Sequence, residues 1–209
     1  MRVIDISWPI HDRMVGFPGD TEVRVAPIHS LEKGDPYSVS SLTLSSHTGT
    51  HVDPPSHFLP DGVGIDRVDV RLLNGPCRVV EIPDDAITVA PEHLGRAPGN
   101  PARVLFKTSN SRRWAKREEY FEDYVALSME TADLLGTSGT RLVGIDALSI
   151  ERDSTGRFPV HHRLLSAGCL ILEGARLENV APGTYELRCL PLRVQNGDGG
   201  PARAFLWAD

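Results

Sequence analysis

Three histidines and one aspartate lie within residues 47–58, and they constrain the path of the chain more than any other stretch. The stretch has the sequence His-Thr-Gly-Thr-His-Val-Asp-Pro-Pro-Ser-His-Phe. In a straight strand, at about 3.3 Å per residue, His47 and His51 would lie roughly 13 Å apart, at the limit for two imidazoles that share one ion. The chain must therefore bend or coil between them, and Gly49 permits a bend. His51 and Asp53 can converge from an extended segment.

The side chains of this stretch suit a divalent metal ion. Two imidazoles and a carboxylate fit zinc, or manganese. Three protein ligands can leave one coordination position for water, which is typical of a catalytic metal site. Pro54 and Pro55 remove two N–H donors and end regular structure, so His57 should follow on a stiffened loop. His57 is then either a fourth ligand or a free acid/base beside the metal. A polar loop of hydrogen-bonded histidines is the alternative.

Length and composition predict one globular domain over residues 1–209. Of the 209 residues, 40% are hydrophobic and 24% are charged. No apolar run approaches the roughly 20 residues of a membrane span, and the N-terminus has no secretory apolar region. Cys77, Cys169 and Cys189 lie far apart in apolar surroundings, which predicts buried thiols and a cytoplasmic location. The net charge of -6, without a basic stripe, argues against nucleic acid as a partner.

Short alternating segments between Gly and Pro turns predict a mixed α/β domain. Strands are predicted over residues 3–7, 21–27, 39–44, 77–82, 103–107, 142–146, 185–190 and 202–207. Ser128 is a good N-cap for the clearest helix, which Gly136 or Gly139 should end. Residues 112–123 combine a basic and an acidic cluster, which predicts a solvated helix face rather than a phosphate site.

A second informative stretch ends at Glu173. Residues 170–172 are apolar, and the carboxylate stands where the apolar run should continue. Such a carboxylate is costly unless it is paired or binds a metal. His161 lies twelve residues earlier, and a short helix with a returning strand could bring the two side chains together. The alternative is a surface pair of His161 and His162 with a salt-bridged Glu173.

Residues 47–58 resemble the hallmark of the cyclase-like metal-dependent hydrolases, a family that includes bacterial kynurenine formamidase and isatin hydrolase. The resemblance continues through residues 17–20, 141–146, 161–173 and 182–192, so it spans nearly the whole chain. It implies the cyclase-like fold, which is a curled, barrel-like mixed sheet with few flanking helices. It also implies a homodimer or homotetramer, with N-terminal segments packed across subunits.

The resemblance further implies a site with one or two divalent ions per subunit, zinc first and manganese second. His47, His51 and Asp53 would hold the first ion. Asp53 and Glu173 would bridge to a second ion, and His161 would be its further ligand.

The same resemblance implies roles for the remaining candidate residues. His57 would be the catalytic acid/base, and His162 is the alternative to His161 as a ligand. Phe17 stands where kynurenine formamidases have a tryptophan that lines the substrate pocket. In its Gly- and Pro-rich turn, Phe17 is equally well explained as an aromatic that packs under its own loop.

The activity implied by the resemblance is amide hydrolysis by a metal-activated water, in an arylformamidase that acts on N-formylkynurenine or a similar aryl formamide. A cyclic amide such as isatin is the alternative substrate. A catalytically silent metal-binding protein of the same fold is the alternative of another class. In each case the partner is a small molecule, with no nucleic acid and no membrane.

Overall fold

The computed structural model describes residues 2–95, 102–116 and 119–208. The strands are β1 (Arg2–Asp5), β2 (Arg24–His29), β3 (Val39–Thr43), β4 (His51–Asp53), β5 (Asn74–Glu81), β6 (Thr88–Val89), β7 (Arg103–Lys107), β8 (Ala126–Leu127), β9 (Leu142–Ile145), β10 (Leu170–Glu173), β11 (Gly183–Pro191) and β12 (Gly200–Ala208). The α-helices are α1 (Asn110–Trp114), α2 (Met129–Thr137) and α3 (Pro159–Ser166). Short 3-10 turns lie at Leu31–Lys33, Pro55–His57, Ile65–Arg67 and Pro91–Leu94.

The main sheet has the strand order β1-β12-β11-β5-β7-β9-β10-β4 and closes on itself. The long strand β12 pairs with β11 and β1, and it also pairs with β4 through Gly200 and Pro201. This last pairing joins β12 to the far edge of the sheet and makes a barrel-like ring. β5, β7, β9 and β10 run parallel, whereas β4, β11 and β12 run antiparallel to their neighbours. The predicted curled mixed sheet with few helices is confirmed.

Side-chain alternation along the central strands separates two apolar cores. In β7, Leu105 belongs to the core enclosed by the ring, while Val104 and Phe106 belong to the core between the sheet and the helices. Val52 of β4 likewise packs inside the ring. Its neighbours on β4 must therefore face the outer side of the sheet, where the helices lie.

The helix that begins after Ser128 forms as predicted. Ser128 Oγ accepts a hydrogen bond from Thr131 N at 3.2 Å, which satisfies one free donor of the first turn. The helix passes through Gly136 and ends at Thr137, before Gly139 takes up a left-handed φ of 80°. Of the two glycines predicted to end the helix, Gly139 is therefore the one that lies beyond its last residue.

Some regions differ from the sequence-based expectation or lie outside the description. α1 ends at Trp114, so the predicted charged helix face over residues 112–123 is shorter than expected, and Arg117 and Glu118 lie outside the described residues. The three cysteines are buried free thiols, as predicted. Within the described ranges, no helix has the length and apolar character needed to cross a bilayer.

Candidate metal centre

Neighbouring strands β4 and β10 bring three polar side chains to one outer face of the ring. Their register places Glu173 directly opposite His51. Because Val52 faces the enclosed core, His51 and Asp53 on either side of it face outward together. The sheet therefore supplies two carboxylates and one imidazole at a single buried position.

The chain bends immediately before β4, as the spacing of the first two histidines requires. Gly49 has a φ of 63°, in the left-handed region that favours glycine. The bend brings the ring centroids of His47 and His51 to 5.0 Å. Gly174 packs against the bend, where a Cβ would lie 2.3 Å from Gly49 O. Two glycines therefore allow the histidine turn to lie against the end of β10.

The His51 ring faces both carboxylates of the sheet. Its Nε2 lies 3.4 Å from Asp53 Oδ1 and 3.4 Å from Glu173 Oε2. Its Nδ1 donates a hydrogen bond to Gly49 O at 2.9 Å. Because a carbonyl oxygen only accepts, this contact keeps a proton on Nδ1 and directs Nε2 toward the carboxylates.

Helix α3 adds His161 to the cluster. Its Nε2 lies 3.2 Å from Glu173 Oε1 and 3.8 Å from Asp53 Oδ2. Its Nδ1 lies 2.5 Å from Glu151 Oε1. The neighbouring His162 is exposed, because successive residues of a helix point in different directions. The structure thus brings His161, and not His162, to the carboxylates.

His47 and His57 approach the same centre from loops. His47 Nδ1 lies 2.9 Å from Asp53 Oδ1. The His57 ring stacks on His47 with 4.0 Å between centroids. The potential ligand atoms of His47, Asp53 and His57 lie within 4.8 Å of one another, and so do those of His51, Asp53 and Glu173. Asp53 is the member shared by the two groups.

The buried atoms of this centre fit a divalent ion. His47 Nε2, His51 Nε2 and both carboxylate oxygens of Asp53 are buried and make no hydrogen bond; the 2.9 Å contact between His47 and Asp53 lacks hydrogen-bond geometry. Buried polar atoms are normally satisfied, so four such atoms at one place need a partner. Imidazole nitrogens with carboxylate oxygens are a ligand set that zinc and manganese accept. The residues present therefore suit a divalent ion.

The carboxylates control the protonation of the two innermost imidazoles in the metal-free protein. Burial alone would lower the pKa of His51, but Glu173 and Asp53 outweigh it and raise the pKa to about 9. Burial would also lower the pKa of His161, but Glu151 and Glu173 raise it to about 10. Burial would raise the pKa of Glu173, and its contacts with the two imidazoles hold that pKa well below the usual range. Without a bound metal ion, the cluster therefore contains two protonated imidazoles and an ionised Glu173 carboxylate.

His57 behaves differently from these two imidazoles. It ends the 3-10 turn Pro55–His57 and is only partly buried. Burial, as the largest influence, lowers its pKa. A neutral ring at pH 7 can accept a proton, which suits the predicted acid/base role.

A cleft of about 520 Å³ adjoins the bend at Gly49. Its apolar lining comprises Trp8, Met14, Val15, Trp114 and Leu148. Lys116, Arg13 and Asp12 also line it, and Asp12 Oδ2 lies 3.6 Å from Arg13 Nε. An aromatic cleft with a few charged groups suits a small aryl ligand. Phe17 is not one of its lining residues and instead packs edge-on against Tyr120 at 5.7 Å, so its role as a pocket wall stays a prediction.

Sequence reasoning missed Glu151. The side chain is buried and contacts His161, yet it stands ten positions before that histidine on a different element. Two residues that meet across an irregular loop have no fixed separation in sequence. The only available signal was an acidic residue directly after the apolar Ile150, and a single such residue does not indicate a site.

Comparisons with known proteins agree with this geometry. The Cyclase family model, described as "Putative cyclase", matches residues 4–152. "Kynurenine formamidase" from Salinibacter ruber is 40% identical over 208 residues, which are 99% of this chain and 97% of that protein. A solved structure described as a potential metal-dependent hydrolase with cyclase activity is 30% identical, with a TM-score of 0.83 and coverage of 98% of this chain and 96% of that chain. Isatin hydrolase A from Labrenzia aggregata is 22% identical, with a TM-score of 0.80 and coverage of 98% and 93%, and shows the shared fold alone.

The fold and the buried His and carboxylate cluster define a metal-site protein built on a closed mixed sheet. This chain belongs to the Cyclase family. The family predicted from residues 47–58 is thereby confirmed.

Proposed function

We propose that this protein is a metal-dependent amide hydrolase that acts on aryl formamides, with N-formylkynurenine as the leading substrate. The observation that carries the proposal is the buried centre itself, in which His51, Asp53 and Glu173 place ligand atoms within 4.8 Å of one another. The relative from Salinibacter ruber, a kynurenine formamidase by name, supports the choice of substrate at 40% identity. The reaction adds water across the formyl C–N bond and releases formate and a free aryl amine.

The centre has enough ligands for one or two ions. His47, His51 and Asp53 would hold one ion. Asp53, Glu173 and His161 would hold a second. A bound divalent ion supplies Lewis acidity, which lowers the pKa of water from about 15.7 toward 7 and polarises a carbonyl. Zinc is the proposed native ion, and manganese is the alternative because the same ligand types accept it.

His57 moves the proton in the proposed reaction. Its lowered pKa leaves an imidazole nitrogen free to accept a proton from the attacking water. The same nitrogen then donates that proton to the leaving nitrogen as the C–N bond breaks. Stacking on His47 at 4.0 Å holds the ring beside the ligand atoms.

The cleft beside Gly49 would receive the rest of the substrate. Trp8 and Trp114 offer aromatic surface to an aryl ring, and Lys116, beside the Arg13–Asp12 ion pair, offers positive charge to a carboxylate. N-formylkynurenine carries both an aryl ring and a carboxylate. Formanilide carries only the ring, so a comparison of the two substrates measures the contribution of the charged lining.

A metal analysis with a substrate panel tests the proposed function. The purified protein should contain one or two divalent ions per chain and should release formate from N-formylkynurenine and formanilide. Removal of the ions with a chelator should abolish turnover, and zinc or manganese should restore it. Hydrolysis of isatin without hydrolysis of the formamides would replace the proposed substrate with a cyclic amide. Bound metal without any turnover would indicate a silent metal-binding protein.

The hairpin formed by β2 and β3 supports a proposed homo-oligomer. Among the described strands it pairs with no part of the main sheet, and all five residues of β3 are exposed. Ile28, Leu31 and Leu42 are each about 60% exposed. A two-stranded hairpin is marginally stable alone, and clustered exposed apolar side chains mark association surfaces.

Charged substitutions in the hairpin test association. Ile28→Lys with Leu42→Lys should convert the oligomer to monomers, as measured by light scattering after size exclusion. Ile87→Lys replaces an apolar residue that is 77% exposed outside the hairpin, and it should leave the mass unchanged. An unchanged mass in both variants would exclude the hairpin as the contact.

A further inference from the structure

The side chain of Glu151 links the metal centre to the first turn of α3. It is 4% exposed. Its Oε1 lies 2.5 Å from His161 Nδ1 and accepts the His161 backbone N–H at 2.9 Å. Its Oε2 accepts the Val160 backbone N–H at 3.1 Å. One buried carboxylate therefore satisfies two free donors of the helix and the ring nitrogen that faces away from the centre.

We propose that Glu151 is a positioning residue that fixes the tautomer and direction of His161, so that Nε2 is available to a divalent ion. This inference rests on the proposed ligand role of His161. Both carboxylate oxygens of Glu151 accept a backbone N–H bond, and Oε1 also faces His161 Nδ1, so the carboxylate is placed to accept from the imidazole as well. This arrangement keeps a proton on Nδ1, so Nε2, which faces Glu173 and Asp53, is the nitrogen that gives up its proton to an ion. Carboxylates in this position orient metal-binding imidazoles and strengthen them as ligands.

The two inner imidazoles are supported by different acceptors. His51 donates to a neutral carbonyl, Gly49 O, at 2.9 Å. His161 is paired instead with an anionic carboxylate at 2.5 Å. A charged acceptor withdraws the ring proton more strongly and makes the opposite nitrogen a better electron donor. The ion held through His161 should therefore depend on Glu151, while the ion held through His51 should depend on it far less.

The backbone around Glu151 is anchored on both sides of the loop before α3. Tyr124 Oη donates to Glu151 O at 2.6 Å. Asp153 Oδ2 accepts the backbone N–H groups of Arg157 and Phe158 at 2.6 Å each. Phe158 has a φ of 46° and a ψ of 54°, a left-handed conformation that is unusual for a bulky residue and turns the chain into the helix. These contacts anchor the backbone at both ends of the loop that joins Glu151 to α3.

Glu151→Gln separates the positioning role from mere space filling. The glutamine has nearly the same size, but one of its two terminal atoms is an NH₂ donor. If its oxygen faces Val160 N–H, its NH₂ faces His161 Nδ1 and favours the opposite tautomer, with the proton on Nε2. If its oxygen faces His161, the Val160 N–H faces another donor. In either orientation the glutamine therefore loses one contact: the one that fixes the tautomer of His161, or the one that satisfies the Val160 N–H in the first turn of α3.

Zinc binding to the full-length protein gives the first readout. With a competing chelator, Glu151→Gln and Glu151→Ala should each weaken the ion that His161→Ala also removes, by about 10- to 100-fold. The other ion should keep its affinity. Ser128→Ala, which removes the N-cap of α2, is the matched control for lost helix capping, and it should lower Tm without changing zinc affinity.

The imidazole nitrogens of His161 give the second readout, independent of activity. In zinc-loaded wild-type protein, long-range proton–nitrogen spectra should show a protonated Nδ1 and a metal-bound Nε2. Glu151→Gln should change that pattern at His161 while the pattern at His51 stays the same. A cap with no positioning role would leave both patterns unaltered.

The possible results separate this inference from the proposed function. If His161→Ala loses zinc while both Glu151 variants bind it normally and lose only Tm, Glu151 is a helix cap and the inference is wrong. If His161→Ala binds zinc with unchanged stoichiometry and affinity, the ligand role of His161 is wrong, and the inference is overturned with it. Failure of the wild-type protein to bind either zinc or manganese would instead overturn the proposed function, and this inference with it.

Discussion

The metal centre has two halves that differ in how the protein holds them. The inner half consists of His51, His161 and Glu173. The outer half consists of His47 and His57. Inner side chains come from strands and a helix and are almost completely buried, whereas outer side chains come from a turn and a loop and are partly exposed. The centre therefore combines side chains held rigidly by strands and a helix with side chains held more loosely by a turn and a loop.

Each inner side chain also has a partner behind it. The imidazoles contact Gly49 O and Glu151, and the Glu173 carboxylate accepts the Ile150 N–H at 2.6 Å. The outer imidazoles instead stack on each other with 4.0 Å between centroids. Fixed ligands suit an ion, which requires a set geometry, and a less constrained imidazole suits proton transfer. We therefore expect inner substitutions to change metal binding and substitution of His57 to change turnover, whereas substitution of His47, a proposed ligand, should change both.

Loss of Asp53, which contacts both halves, should have the largest effect. Its two carboxylate oxygens are buried, make no hydrogen bond, and approach imidazoles on both sides. Asp53→Asn keeps the shape but removes the charge that an ion needs. Bound metal should fall below one ion per chain, and turnover should fall by at least about 10³-fold. Metal analysis beside kinetics checks this, and normal metal content would show that the shared carboxylate is not a ligand.

Replacement of His57 should lower turnover without disturbing the inner half. His57→Ala should lower kcat by roughly 10²- to 10⁴-fold while the metal content stays at the wild-type level, because in the proposed mechanism the ring moves a proton and is not a ligand. His162→Ala, at an exposed histidine that the structure keeps away from the carboxylates, is the control and should have little effect. Loss of metal from His57→Ala would make His57 a ligand.

The part of the centre that lies within residues 47–58, which includes His51 and both outer histidines, was predictable from sequence because its contacts are local. Residues 47–58 are contiguous, and a strand with a glycine bend explains their convergence. The spacing to Glu173 fitted either His161 or His162 as the ligand. Only the rotation of α3 about its axis decides which of the two rings faces the sheet. The contact of Glu151 with His161 crosses an irregular loop, and the closure of β12 onto β4 joins segments far apart in sequence, so no local pattern encodes either contact.

Metal binding to the inner half should depend on pH. In the metal-free protein the pKa of His51 is raised to about 9 and that of His161 to about 10, so both rings are protonated at pH 7. An ion must displace those protons, and its apparent affinity should rise about tenfold per pH unit for each proton displaced. Calorimetry in buffers of different ionisation enthalpy measures the release. No release at pH 7 would contradict the protonated inner half.

The same pKa shifts predict an opposite trend for the stability of the metal-free protein. A histidine with a raised folded-state pKa contributes stability that is complete below the unfolded value of about 6.5. That contribution is lost as pH rises through about 9 for His51 and about 10 for His161. Tm without metal should therefore decrease between pH 7 and pH 10, while the stabilisation by added zinc increases. A metal-free Tm that rises over this range would exclude the ion pairs.

Gly199 should be needed for the position of His47 in the outer half. A Cβ at residue 199 would lie 2.7 Å from Cε1 and 2.8 Å from Nε2 of the imidazole, so Gly199→Ala must displace the ring. We expect about a tenfold loss of kcat/KM, since a small displacement of a site group has effects of this order or larger. Gly16→Ala, where the added Cβ meets open space, is the control. Equal kinetics for the two variants would show that the His47 ring position is not critical.

Phe17 should give the smallest effect, because it lies beside the cleft rather than in the centre. It packs edge-on against Tyr120, whose ring also lies 6.2 Å from that of Trp114 in the cleft wall. On the prediction that Phe17 contacts the substrate, Phe17→Ala should raise KM by about 3- to 10-fold and leave kcat and metal content unchanged, since loss of an apolar contact weakens binding without changing the chemistry. Phe17→Trp should keep KM near or below the wild-type value, because the larger ring maintains the wall. A lower Tm with unchanged KM in Phe17→Ala would show that the ring has only a packing role and is not a wall of the substrate pocket.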